Sequence, residues 1–399
     1  MPLKLLRLLA AIIFQNMVLG IILKIYRIVR DYREMEGSLP ISEEIASFED
    51  NCRLTYPHTN GFINNETLLV TKFHKNDKNN VDCEQSLVKI DVTTGKQKVI
   101  LQKNVLPIMF DYASEANKII YVRGNALFLS DLNSSDDSKV IWTTQREGPF
   151  LPSITKDAKF ITFFWRDGEN NYIDKLNIES LESETIVSSI MLIGHTQFSH
   201  YNPDWIGYCH EGETETISDR IWAYNKVIAP KGKCIFDQKS NDKGKLLCIG
   251  HEIWANSDLS VYAVAYGVSP AGPKGLWQIY PEGKKPRLVS EMSNAWHCNV
   301  SADGKWALVD CQGKSQESGE YDFGKSIYSD VLLVNTSTGN RILVGRGIGY
   351  VDLHPKGIYH FHPHPIFSPD GKWVYYNKAE SQHGVRNSIL RVNISEFVS

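Results

Sequence analysis

Seven times along this chain an Asn or Ser, an acidic residue and often a Gly or Lys run into an aromatic or aliphatic stretch. The acidic members are Glu66, Glu115, Asp157, Asp204, Asp258, Asp303 and Asp370. The clearest copies read Ser301-Ala302-Asp303-Gly304-Lys305-Trp306 and Ser368-Pro369-Asp370-Gly371-Lys372-Trp373, and the first two copies are degenerate. Pro, Asp and Gly supply the geometry of a tight turn between strands. Successive acidic positions lie 42 to 54 residues apart, with a longer final interval, near the ~40–50 residues of a four-stranded propeller blade. Seven copies at this period predict an all-β, seven-bladed β-propeller. The long last interval leaves room for an insertion at 313–329, which is rich in Gly, Ser and Glu.

The stretches between turns agree. Residues 68–73, 87–92, 118–122, 126–130, 160–165 and 331–335 are rich in Val, Ile, Phe and Tyr, as strands are. No long helical pattern interrupts them. The N-terminus differs: residues 8–23 are almost wholly apolar, with Lys4 and Arg7 before them and Lys24, Arg27, Arg30 and Arg33 after. Sixteen residues fall short of the ~20 that span a bilayer, but a signal anchor or membrane-surface helix fits the pattern. The expected organisation is an apolar and basic helix at 1–33 in membrane contact, a polar linker at 34–50 and a propeller domain at 51–399.

Histidines keep step with the turns. His58 lies eight residues before Glu66, His195 nine before Asp204, His251 seven before Asp258 and His297 six before Asp303; His362 and His364 lie eight and six before Asp370. Residues just ahead of a blade's first turn sit on its innermost strand and line the central channel. The shared phase therefore predicts histidines from distant blades converging at one mouth. His362 and His364 are two apart, which on an extended strand puts both imidazoles on one face.

His297, His362 and His364 supply three neutral imidazoles, a set suited to Mn, Fe, Co, Ni or Zn. With no thiolate among them, an open catalytic site is favoured over a closed structural one. His251, one blade earlier, faces the same space without needing to ligate, and a histidine kept neutral beside a cation is a natural general base. Arg220 and the pair His210 and Glu211 offer a grip on an anionic substrate, the guanidinium by a bidentate contact with carboxylate. An ion pair of Arg220 with Asp219 or Glu211 is an equal reading.

Other chemistries fit poorly. A net charge of −3 gives no electrostatic case for nucleic acid. There is no Gly-x-Ser-x-Gly elbow and no Gly-rich phosphate loop. The seven cysteines are scattered, with no CxxC pair, and read as free buried thiols.

Four segments together resemble the oligogalacturonate lyases, a family of seven-bladed propellers. They are Gly194-His195-Thr196-Gln197-Phe198-Ser199 running on to Tyr208-Cys209-His210-Glu211-Gly212; Asp219-Arg220-Ile221-Trp222; Gly250-His251-Glu252-Ile253-Trp254; and His362-Pro363-His364-Pro365-Ile366-Phe367-Ser368-Pro369-Asp370-Gly371-Lys372-Trp373. The resemblance implies β-elimination on short α-1,4-linked galacturonates. It implies a divalent metal, manganese in family members, at the positions of His297, His362 and His364, with His251 as base and Arg220 near the reacting sugar. His195, His210 and Glu211 would contact the substrate. The family's fourth ligand is a glutamine three residues before the first histidine of the pair; here that position is Tyr359. Typical members are cytoplasmic and lack the N-terminal apolar segment, which on its own reads as membrane-associated. A lyase for another uronide, a non-enzymatic tethered propeller binding sugar or protein, and a metal-dependent hydrolase are the competing readings.

Overall fold

The structure is a computed structural model that describes residues 39–48, 52–54, 61–73, 85–104, 109–132, 134–239, 245–312, 328–348, 350–351, 360–379 and 387–398. Its strands group into seven blades. The innermost strands, in chain order, are Phe62–Asn64, Phe110–Ala113, Glu147–Ile154, Ile193–Phe198, Ile249–Trp254, Ala295–Val300 and Ile366–Phe367. Each of the seven acidic turn residues lies between a blade's first strand and its second. All six apolar runs read as strands fall on strands. The expected insertion at 313–329 lies almost entirely outside the described residues, as do Tyr359 and His58. Among the described residues one β-bridge, Ile348 with Ala379, links the sheets of blades six and seven.

The turns are built by the residues that repeat. Ser301 Oγ donates to Asp303 Oδ1 at 2.7 Å, and the same oxygens accept the backbone N–H of Trp306 and Lys305 at 3.0 and 3.1 Å. Ser368, Asp370, Lys372 and Trp373 reproduce this at 2.6, 3.1 and 3.0 Å, and Thr155, Asp157, Lys159 and Phe160 at 2.7, 3.1 and 3.1 Å. The residue after the aspartate takes positive φ: Gly304 at 72°, Gly371 at 69° and, in blade three, Ala158 at 55°. A left-handed conformation costs a residue with a Cβ roughly 1–2 kcal/mol, partly offset for glycine by backbone entropy. Ala158→Gly should therefore stabilise the protein by about 0.5–1 kcal/mol, read as a raised midpoint in urea. A lower midpoint would show that the turn carries no such strain.

Both faces of each propeller sheet pack on a neighbour, so central strands lose the in–out alternation of a half-exposed sheet. All five residues of Val261–Ala265 and of Gly275–Ile279 are buried. The core divides into seven clusters, one per junction between blades. One of them joins Leu68, Val88 and Ile90 of blade one to Ile366, Tyr375 and Ile389 of blade seven, which closes the ring. Each fully buried Leu, Ile or Val contributes roughly 1.5–3 kcal/mol. A cavity of about 430 Å³ marks the axial channel and takes residues from every blade, among them Phe62, Asp111, Ser153, Gln197, Trp254, Asn299 and Phe367.

One boundary changes. The stretch 34–50, expected as a linker, contains the strand Ser42–Phe48, which pairs antiparallel with Asn387–Asn393 and completes blade seven. The strand is outermost and mostly polar; besides its main-chain ladder, buried Ile45 and Ala46 and bonds from Arg391 to Glu43 and from Ser388 to Glu44 hold it. The expected N-terminal helix at 1–33 lies outside the described residues. Among the described residues, the C-terminal turn Ser395–Val398 is helical and no helix is long and apolar enough to cross a membrane.

Candidate active site

Four histidines from three blades meet at the channel. The ring centres of His297 and His364 are 4.0 Å apart, those of His297 and His362 5.0 Å, and those of His362 and His364 5.7 Å. His251 lies 4.3 Å from His297, centre to centre. His297, His362 and His364 are at most 7% exposed. His251 is partly exposed at the mouth.

The backbone that presents these rings is irregular in a repeated way. His195, His251 and His364 have φ of 53°, 52° and 44°. The ladder shifts register between Gly194 and Gln197, between Gly250 and Ile253, and between Ala295 and His297. Such bulges insert an extra residue and re-aim a side chain; histidine tolerates the left-handed region better than most residues. The glycines before two of them make room: a Cβ on Gly250 would meet the Tyr266 hydroxyl, and one on Gly194 would come within 2.6 Å of Glu211 Oε1. The extended His-x-His strand expected at 362–364 is corrected here. Pro363 and Pro365 cannot donate to a ladder. The segment is instead tied to the next strand by Asn377, whose N–H donates to Pro363 O at 2.8 Å and whose Nδ2 donates to His362 O at 3.3 Å.

Asp310, which the sequence reading did not single out, organises the cluster. Fully buried, it accepts the N–H of His297 at 2.8 Å, the N–H of His364 at 3.1 Å and the His297 ring through Nδ1 at 2.9 Å. Burial pushes its pKa up to about 6, against the pull of His362 and those N–H donors. A carboxylate on Nδ1 directs Nε2 of His297 into the cluster, the arrangement by which outer residues orient metal-binding histidines. The signal was legible: one charge inside the otherwise apolar run Trp306-Ala-Leu-Val-Asp-Cys must find partners if buried.

His251 is held differently. Its Nδ1 donates to the Trp296 carbonyl, and since a carbonyl only accepts, the lone pair is on Nε2. Burial drives its pKa down to about 3, partly opposed by that hydrogen bond and by Asp310. The ring is neutral at pH 7. Tyr266 and Trp296 pack edge-on against it, at 5.2 and 5.5 Å.

The remaining predicted residues gather beside His251. Arg220, 6% exposed, donates from Nη2 to Glu211 Oε2 at 3.0 Å, so Glu211 rather than Asp219 is its ion-pair partner. Asp219 instead meets His210 Nδ1 at 2.8 Å. His195 Nε2 lies 3.2 Å from Glu211 Oε1. Of the five cysteines whose side chains are described, all free, four are buried as expected and Cys234 is exposed.

The three imidazoles are donors of the kind that suit a divalent cation. A metal ~2.1 Å from a ring nitrogen lies roughly 3.2 Å from that ring's centre, so ligands at right angles have centres roughly 4.5 Å apart. The three spacings of 4.0 to 5.7 Å bracket that value, and imidazole nitrogens suit Mn to Zn. Asp310→Asn keeps the shape but puts an amide where a carboxylate accepts three N–H groups. It should lower metal affinity roughly 10–100-fold, measured by competition against a chelating dye. Unchanged affinity would show that Asp310 serves only the fold.

Fold and mouth together define a seven-bladed propeller with a histidine cage in its channel. A family model described as oligogalacturonate lyase matches residues 114–394, and the chain belongs to that family. It is 22% identical over 245 residues to the oligogalacturonate lyase of Dickeya dadantii (strain 3937), covering 61% of each protein. It is 22% identical over 295 residues to the oligogalacturonide lyase of Pectobacterium atrosepticum, covering 73% of this chain and 69% of that one. Among solved structures, an oligogalacturonate lyase in complex with manganese superposes with a TM-score of 0.68 at 17% identity, over 90% of this chain and 98% of the other. The enzyme from Vibrio parahaemolyticus superposes with a TM-score of 0.70 at 16% identity, with the same coverage. These two show the propeller fold.

Proposed function

We propose that the protein is an oligogalacturonate lyase that cleaves short α-1,4-linked galacturonates by metal-assisted β-elimination. The observation that carries this reading is His251: a neutral imidazole with its lone pair on Nε2, in van der Waals reach of a buried three-imidazole set. The C5 proton of a uronate is weakly acidic because the carboxylate beside it is already negative. His297, His362 and His364 would hold a divalent cation, manganese by analogy with the solved relative. When bound, the cation offsets both that carboxylate and the charge that grows as the proton leaves.

His251 Nε2 takes the C5 proton, and the Trp296 carbonyl stabilises the resulting imidazolium through Nδ1. Arg220 neutralises a sugar carboxylate at the same mouth; its guanidinium lies close enough to act electrostatically on His251. His195, His210 and Glu211 line the approach, with Glu211 fixing Arg220 and Asp219 fixing His210. The 4-oxygen departs with a proton from water or a neighbouring acid, leaving a 4,5-unsaturated uronide.

Digalacturonate and trigalacturonate, incubated with manganese-loaded protein, should give rising ultraviolet absorbance from the new double bond. No absorbance with any uronide, while metal stays bound, would overturn the reading and leave a sugar-binding propeller.

A further inference from the structure

His195, Cys209 and Glu211 come together in a way that substrate contact does not explain. One nitrogen, one sulfur and one carboxylate oxygen from them all lie within 4.8 Å of one another. Glu211 Oε1 is 3.2 Å from His195 Nε2 and 3.0 Å from Cys209 Sγ. Donor atoms around a tetrahedral zinc-type ion are roughly 3.3–3.5 Å apart, and both contacts of Glu211 Oε1 are near that spacing. Glu211 divides its oxygens: Oε1 faces the sulfur and the imidazole, whereas Oε2 accepts from Arg220 at 3.0 Å. Ligating carboxylates are held in this way by an outer hydrogen bond.

The second observation is Glu252. It is 3% exposed, and neither of its carboxylate oxygens accepts a hydrogen bond. Its Oε1 lies 3.8 Å from His195 Nδ1, on the far side of the ring from Glu211. The pattern repeats that of Asp310 behind His297: carboxylate, imidazole, then an open face. A buried carboxyl without a hydrogen-bond partner thus lies behind the His195 ring, and a polar group so placed needs compensation.

We infer that His195 Nε2, Cys209 Sγ and Glu211 Oε1 bind a second divalent cation of the zinc class, with Glu252 orienting His195 from behind. Three protein ligands leave one position open toward the channel, as in catalytic rather than structural zinc sites. Binding there converts the thiol to thiolate with release of one proton to solvent. His195 and Glu211 then reach a substrate carboxylate through the cation rather than directly. That last consequence rests on the proposed substrate, whereas the metal site does not.

Cobalt(II) distinguishes the two sites, because only the second has a sulfur ligand. The metal-free full-length protein titrated with cobalt should bind two equivalents and develop a thiolate-to-cobalt charge-transfer band in the near ultraviolet. Cys209→Ser and Glu211→Gln should each remove the band and one equivalent, at unchanged circular dichroism, while His364→Ala should keep the band and lose the other equivalent. If one variant fails to fold, the other decides. One equivalent without the band in the wild type, or a band that survives Cys209→Ser, would overturn the inference.

Discussion

His251→Ala will lower the rate of unsaturated-product formation by roughly 10²–10⁴-fold, the range that a positioned general base contributes, with metal content and thermal midpoint close to wild type. Removing the ring breaks the hydrogen bond to the Trp296 carbonyl and its edge-on contacts with Tyr266 and Trp296, without touching Asp310. The loss should appear in kcat, since His251 acts on the proton in flight and is given no part in holding the sugar. A variant that keeps wild-type kcat would remove His251 from the chemistry. A fall confined to KM would assign it to substrate binding.

His362→Ala should fail in a different way. His362 is 7% exposed and faces His297 and His364, while Asp310 bonds His297 within blade six and reaches blade seven through the His364 N–H. The variant therefore loses a donor without dismantling the carboxylate beneath. Metal affinity should fall by more than the ~10–100-fold expected for an outer-shell change, and activity should fall with it and recover partly at high manganese. Elemental analysis after dialysis, run beside His251→Ala, separates the two: one variant is inactive with metal, the other inactive for lack of it. Full metal content in His362→Ala would mean that the cation, if bound, is held elsewhere.

The turn residues carried the fold because a propeller repeats one local device: Asp157, Asp303 and Asp370 bond neighbours two positions away, and Thr155, Ser301 and Ser368 bond neighbours five away. Local chemistry of that kind is visible in a single sequence. The convergence of His251, His297, His362 and His364 was legible from their phase relative to those turns. Asp310 left a trace as the one charge in an apolar run, whereas Trp296, Tyr266 and Glu252 left none, since their roles depend on contacts with residues far along the chain. The bulges at His195 and His251 were hidden for another reason: an extra residue in a strand breaks the period of two without altering composition. Ser42–Phe48 escaped notice because an outermost strand needs few apolar side chains, and here only Ile45 and Ala46 join the core.

The most direct test is the mass of the products that manganese-loaded protein releases from trigalacturonate. Elimination through His251 predicts two fragments whose masses sum to that of the substrate, one of them carrying the double bond. Fragments that together exceed the substrate by one water would mean hydrolysis, and the account of a base beside a three-histidine cation site would be contradicted.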